Sequence, residues 1–390
     1  MRILRVITRL NIGGPSIQAI TLTTNFERRG HVTRLLHGRL DRGEGDMTYL
    51  APPGADLAFV PTLCRPIAPL DDLETFFALW KALRDFQPDI VHTHMAKAGL
   101  LGRFAVRAYN IGRGRARARV VHTYHGHVLD GYFSPLKTSL FINLERLLSR
   151  WSDRLIAISP AIRHQLLNEY RIGRDSQYTV VPLGFDLSSF TAVDDAARQQ
   201  ARRALDIPDG AAVVSTVGRL TAIKQHGLFL DAVRRAAAQR PQVLALVVGD
   251  GDLRHELESV IARDGLADRV RMLGWRKDLA QIYAATDIFL LTSRNEGTPV
   301  AMIEAMAAGT ASVSTNVGGV KDVINSEDVG LLAPFGDAEA LAGHLCTLID
   351  DPERRRRMGV AARARVTSHY SLDRLTSDIA VVYDQLVGDN

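Results

Sequence analysis

Four residues carry most of the chemistry this sequence announces: Arg219 and Lys224 in "GRLTAIKQH", and Glu296 and Glu304 in "RNEGTPVAMIEA". A guanidinium and an ammonium delivered by one loop suit a diphosphate, the first as a planar bidentate donor and the second as a point charge. A solvated basic loop is the plainer reading of that pair. Glu304 stands among Met302, Ile303, Ala305 and Met306, so its carboxyl is expected to be buried and to need strong donors. Vicinal hydroxyls of a ribose would serve, as would an Arg or Lys in the core. Thr298 reads as a helix N-cap with Pro299 in the first turn, which sets Glu296 just ahead of a helix N-terminus. The eight positions between the two carboxylates would give about 12 Å of helical rise, more than the roughly 5–9.5 Å of a glycosidase pair. The spacing fits two carboxylates that grip two parts of one ligand.

These residues must be positioned by strands. Short β-branched runs alternate with helical patterns, "ILRVIT", "DIVHTH", "RVVHTY", "RLIAIS" and "TVVPLG" in the first half, "AAVVSTVG", "VLALVVGD", "RVRMLG", "DIFLLTS" and "ASVSTNVG" in the second. That rhythm predicts an α/β chain with two doubly wound parallel sheets, joined near "PLGFDLSSFTAVDDAARQQ". At 390 residues the chain exceeds what one core serves. The boundaries expected are 1–185 and 186–370, with a final helix at about 371–390 whose spacing lets it pack on either domain. Ligands of such sheets bind where strands end and helices begin. The Gly13-Gly14 loop of "LNIGGPS", with Pro15 in the first turn of a helix, lies at such a place, as a phosphate contact or merely a tight turn. In "VVGDGDLRHE" Arg254 stands where a third glycine would complete a dinucleotide fingerprint, which disfavours NAD. Asp250 and Asp252 there read better as helix caps than as a metal-binding DxD pair.

Composition excludes other classes. Hydrophobic residues at 46% and charged at 23% are ordinary for a soluble protein, and no stretch is long and apolar enough to span a bilayer. "MRILRVIT" reads as a first strand, without a signal peptide's features, so the chain is expected in the cytoplasm. Cys64 and Cys346 offer neither a disulfide framework nor a cysteine metal site. The net charge of +5 owes much to arginine. Arg103, Arg107, Arg113, Arg115, Arg117 and Arg119 predict a positive surface for anionic lipid or phosphorylated ligands, with solvated arginines as the alternative. No nucleic-acid motif accompanies them. His92, His94, His122, His125 and His127 gather in two segments that end adjacent strands, where a metal is weighed and disfavoured because alternation splits neighbours between faces.

In order and combination, "LNIGGPS", "HTYHGH", "VVPLGFD", "GRLTAIK", "VVGDGDLR", "EGTPVAMIE", "TNVGGVKDVI" and "GLLAPFGDAEALA" resemble the retaining glycosyltransferases of family 4, over nearly the whole chain. "HTHMAKAG" and "HTYHGHVLDGYF" are similar to the bacterial enzymes of envelope and exopolysaccharide assembly. The resemblance implies a GT-B fold, two Rossmann-like domains facing across a cleft, with a C-terminal helix crossing back to the first. It implies transfer of a sugar from a nucleotide-sugar, by family precedent a UDP-sugar, to a glycan or a polyprenyl-diphosphate-linked saccharide, without metal or other cofactor. The N-terminal domain would present the acceptor and the C-terminal domain hold the donor, with peripheral contact to an anionic membrane and no nucleic-acid partner.

Carried onto this sequence, the resemblance makes His125, Arg219, Lys224 and Glu296 the catalytic set. Gly13, Gly14, Gly218, Arg219, Lys224, Gly249, Trp275, Arg276, Glu296, Gly297, Thr298, Val300 and Glu304 would bind the donor, the backbone amides of Gly297, Thr298 and Val300 included. His94, Lys97 and His127 are acceptor candidates, Lys97 equally readable as a surface lysine. The chain departs from the family pattern at Leu183, where Asn is common, and at Gln225, where Gly commonly follows the lysine. A nucleotide-sugar epimerase of the same fold and a non-catalytic nucleotide-sugar-binding scaffold are the rival readings.

Overall fold

A computed structural model describes residues 1–126 and 135–388, which form two compact units, Met1–Phe185 with Leu372–Asn390, and Asp186–Ser371. The first is built from β1 (Arg2–Ile7), α1 (Gly14–Arg28), β2 (Val32–His37), β3 (Leu57–Phe59), α2 (Pro69–Phe86), β4 (Ile90–His94), α3 (Ala96–Tyr109), β5 (Arg119–Tyr124), α4 (Pro135–Ser149), β6 (Arg154–Ala157), α5 (Pro160–His164) and β7 (Tyr178–Val180). Its strands run parallel in the order β3-β2-β1-β4-β5-β6-β7. Period-two alternation decides what each face buries. Leu4 and Val6 of β1 pack with Leu79 and Leu83 of α2 and Leu101 and Val106 of α3. Ile3, on the other face, packs with Leu22 and Phe26 of α1.

The second unit follows with α6 (Ser188–Thr191), α7 (Asp195–Ala204), β8 (Ala212–Val217), α8 (His226–Gln239), β9 (Val243–Val248), α9 (Arg254–Arg263), β10 (Val270–Gly274), α10 (Leu279–Ala285), β11 (Ile288–Leu291), α11 (Val300–Ala307), β12 (Ala311–Thr315), α12 (Val320–Val323), β13 (Leu331–Ala333), α13 (Ala338–Asp350) and α14 (Pro352–His369). Its six parallel strands take the order β10-β9-β8-β11-β12-β13. Of these, β9 and β11 are continuous apolar runs, buried along their whole length because helices cover both faces. The chain then returns to the first unit as α15 (Leu372–Gly388), whose Leu375, Ile379, Val382, Tyr383 and Leu386 join Ile3, Ile90, Val121 and Ile156 in one buried cluster.

Two sequence expectations are corrected here. Arg103 is fully buried, with Nη2 donating to both carboxyl oxygens of Glu145 at 2.8 Å, so it belongs to the core of the first unit and not to a positive surface. Arg117 and Arg119 face Asp153 at 2.7 and 3.7 Å, and Arg113 stacks over Tyr109, which reduces that surface further. Asp250 and Asp252 do not cap α9, whose N-cap is Leu253; Asp250 accepts from the Gly251 amide and from Arg254 Nη1 instead.

Candidate active site

In the second unit β8 and β11 lie side by side, while the chain winds outward from them in opposite directions. The loops that leave their carboxyl ends therefore diverge, opening the crevice where open α/β sheets hold ligands. Lys224 ends the loop after β8, and Glu296 lies in the loop after β11. Hydrogen bonds stitch the two loops together: Arg294 N donates to Ile223 O at 2.8 Å, and Thr292 Oγ1 donates to the carbonyls of Lys224 and Gln225, each at 3.1 Å. Lys224 Nζ then donates to Glu296 Oε1 at 2.6 Å, and Ser293 Oγ to the same oxygen at 2.6 Å. Gln225 takes the left-handed conformation, φ 52 and ψ 46, which explains why glycine suits this position in the family.

The Glu296 backbone is held from behind. Gly319 N donates to Glu296 O at 2.8 Å, and a Cβ on Gly318, at φ +48, would lie 2.1 Å from that oxygen. Thr298 is not the N-cap of α11. The helix starts at Val300 with Pro299 as cap, because Pro299 at φ −78 and ψ 78 closes a tight turn in which the Val300 amide donates to Thr298 O at 2.9 Å. The Val300 amide is thus engaged by the chain itself, leaving those of Gly297 and Thr298 without a backbone partner among the described residues.

Glu304 is the fifth residue of α11. Its partner is neither an arginine nor a lysine but the Tyr283 hydroxyl of α10, which donates to Oε2 at 3.1 Å. Burial pushes the Glu304 carboxyl up to about 7, the hydroxyl offsetting part of that rise.

Around these groups stand the remaining donor-site candidates. Arg219 is exposed, and no ion pair or hydrogen bond engages its side chain among the described residues. Gly249, at φ +135, passes so near Gly218 that a Cβ on it would lie 1.9 Å from the Gly218 carbonyl oxygen. Trp275 and Arg276 follow the edge strand β10. The Trp275 ring is 56% exposed with Lys277 Nζ over it, and Arg276 is paired with Asp278. Sequence reasoning missed Tyr283, Ser293 and Thr292; a tyrosine on the apolar side of "LAQIYAA" was the one available signal.

In the first unit Gly13 caps α1 and Gly14 opens it, with Pro15 in the first turn. A Cβ on Gly14 would lie 2.9 Å from Leu183 Cδ1, so the leucine that replaces the family's common asparagine fills this space. His125 follows β5, and its Nε2 shares a hydrogen bond of 3.0 Å with His94 Nδ1. His94 is fully buried, stacked on His92, and so stands behind His125 and not at an accessible surface. His92 is hydrogen-bonded to Tyr383 Oη at 2.6 Å and Thr123 Oγ1 at 2.7 Å, while His122, on the opposite face, meets Thr93 Oγ1 at 2.8 Å. Burial lowers all four imidazoles, His125 to about 3, so they are neutral at pH 7. Lys97 is not a free surface lysine, since it pairs with Asp72 and donates to Pro66 O. His127 lies outside the described residues. Among the described residues no three His, Cys, Asp or Glu side chains come together as metal ligands would, and no helix is long and apolar enough to cross a membrane.

Residues 12–189 match the family described as Glycosyltransferase Family 4, and residues 197–365 that described as Glycosyl transferases group 1. The chain belongs to this glycosyltransferase family and has its two-domain GT-B fold. It is 30% identical, over 75% of its length and 74% of the relative's, to the UDP-Gal:alpha-D-GlcNAc-diphosphoundecaprenol alpha-1,3-galactosyltransferase of Escherichia coli. To a D-inositol 3-phosphate glycosyltransferase of Jonesia denitrificans it is 28% identical, over 76% of this chain and 72% of that one. Among solved structures it is similar to Anabaena Alr3699/HepE in complex with UDP, with a TM-score of 0.82 at 23% identity, covering 99% of this chain and 100% of that one. None of these three is named as an epimerase or a scaffold.

Proposed function

We propose that this glycosyltransferase takes its sugar from a UDP-sugar and transfers it, with retention and without a metal ion, to a saccharide carried on a polyprenyl diphosphate in bacterial surface-polysaccharide synthesis. The observation that carries the donor half is the gathering of Lys224, Glu296 and Glu304 at the switch point of the second sheet. Arg219 and Lys224 clamp the diphosphate and offset the charge that grows on it as the sugar leaves, a contact stronger in the transition state than in the ground state. Glu296, once Lys224 turns to phosphate, holds the donor sugar with the amides of Gly297 and Thr298, and Glu304 binds the ribose hydroxyls. Gly218 and Gly249 let the nucleotide approach the backbone, and Trp275 and Arg276 flank the base. The Escherichia coli relative, named for a UDP-sugar donor and a diphosphoundecaprenol acceptor, supports the substrate classes.

The first unit presents the acceptor. Its Gly13-Gly14 loop contributes to the phosphates and His125 to the reacting region, held there by His94. Retention follows a same-face displacement in which the leaving diphosphate takes the acceptor proton, so no side chain need act as base. Contact with an anionic membrane goes with a lipid-linked acceptor, and flotation with anionic liposomes at low salt tests it.

Calorimetric titration with UDP, GDP and ADP, with and without magnesium, tests the donor reading. Preferential, magnesium-independent binding of UDP is expected, and no nucleotide binding to the folded protein would sink it. Lys224→Ala should keep its fold and lose on the order of 10²- to 10³-fold in turnover. Proton NMR of the product's anomeric configuration decides between retention and inversion.

A further inference from the structure

The pocket of α11 contains a carboxyl whose surroundings are unusually bare of charge. Of the elements packed on this helix, β11, β12 and α6 bring no ionisable side chain. From α14, Arg363 donates to the carbonyls of Ala308 and Val193, and from α7, Arg198 also donates to Ala308 O, so both cations serve the far end of the helix. What faces Glu304 itself is the Tyr283 hydroxyl. Tyr283 is fully buried, and its ring meets Phe190 and Phe289 edge-on, with centroids 5.7 and 6.0 Å away. With its ring so fixed, the hydroxyl has one direction to point. It occupies Oε2 and leaves Oε1 without a partner among the described residues.

We propose that Tyr283 is the positioning residue for Glu304, fixing one carboxyl oxygen so that the other meets the ribose hydroxyls of a nucleotide, and that nucleotide binding expels the proton this carboxyl otherwise carries. This rests on the donor-site reading above. A lone hydroxyl in an apolar pocket compensates a carboxylate poorly, so the acid form is well populated near neutrality, in keeping with a carboxyl raised to about 7. Two ribose hydroxyls donating to the same group favour the charged form, and the proton leaves to solvent. At pH 7 about half a proton should be released per nucleotide bound, and close to none well above that pH.

The test is calorimetric titration of the full chain with UDP-glucose, whose phosphates do not titrate near neutrality, at pH 7 in two buffers of different ionisation enthalpy. The wild type should release a fractional proton and Glu304→Gln none. Tyr283→Phe keeps the ring between its aromatic neighbours but removes the donor, which raises the carboxyl further. Its affinity should fall several-fold at pH 7 and recover with rising pH, while the proton count climbs towards one. A residue that merely supports the fold would shift melting without changing that count. Binding with no buffer dependence overturns the inference and leaves the donor site standing, whereas failure of UDP-glucose to bind the folded chain overturns the donor reading and this inference with it.

Discussion

Glu304 sets stability against its proposed role in donor binding within a single side chain. The folded state retains a proton that an unfolded glutamate, at 4.5, has lost by pH 7, so the second unit loses stability as pH rises from about 4.5 to about 7, by up to ~3 kcal/mol. Glu304→Gln should flatten that slope in urea titrations at pH 5 and pH 8. Gln225→Gly, which relieves a left-handed backbone beside Lys224, should raise stability by about 0.5–1 kcal/mol with activity retained. Separating Arg103 from Glu145 is different in kind: Glu145→Gln leaves a guanidinium stranded in the core and should cost about 3–5 kcal/mol by denaturant melting. The acids and bases of the proposed donor site stood out in the sequence because each follows a strand, and Glu304 because a carboxylate among methionines and alanines demands a reason. Tyr283 was not, since only packing shows which buried hydroxyl reaches a helix that starts 17 residues later. Thr298 misled because the residue before a proline resembles a cap, and the turn at Pro299 shifted the helix start onto Val300.

At the scale of elements, strands that are uninterrupted apolar runs were readable, and the poorly marked ones were not. In β2 the buried Leu35 and Leu36 are flanked by Arg34 and His37, while β3 and β13 have three residues each, too few to show a period. The ends of β4 and β5 carry the first unit's most distinctive chemistry, His92, His94 and His122, with His125 one residue beyond. Each imidazole is neutral when folded and would take a proton at 6.5 once unfolded. Their contribution is therefore complete above pH 6.5 and drains away as pH falls, at about 1.4 kcal/mol per pH unit for each histidine. On acidification the first unit should melt before the second, where His226 is the one buried histidine and Glu304 pulls the other way. Scanning calorimetry at pH 7 and pH 5 should show the two transitions move apart.

For the whole molecule, the two alternating series in the sequence gave away both sheets, but not where the last helix packs. Its apolar spacing fits either unit, and contacts between residues 291 and 351 positions apart decide, Tyr383 with His92 and Asn25 with Thr376. A chain ending at Ser371 should lose cooperative melting of the first unit, with Ile3, Ile90 and Ile156 uncovered, while the second keeps its transition. That same arrangement imposes an order of events on synthesis. Residues 186–371 form a continuous stretch able to close their core as soon as they leave the ribosome, whereas the first 185 residues, although made earlier, wait for 372–388 before theirs is sealed. The half of the molecule translated first is the half that finishes folding last.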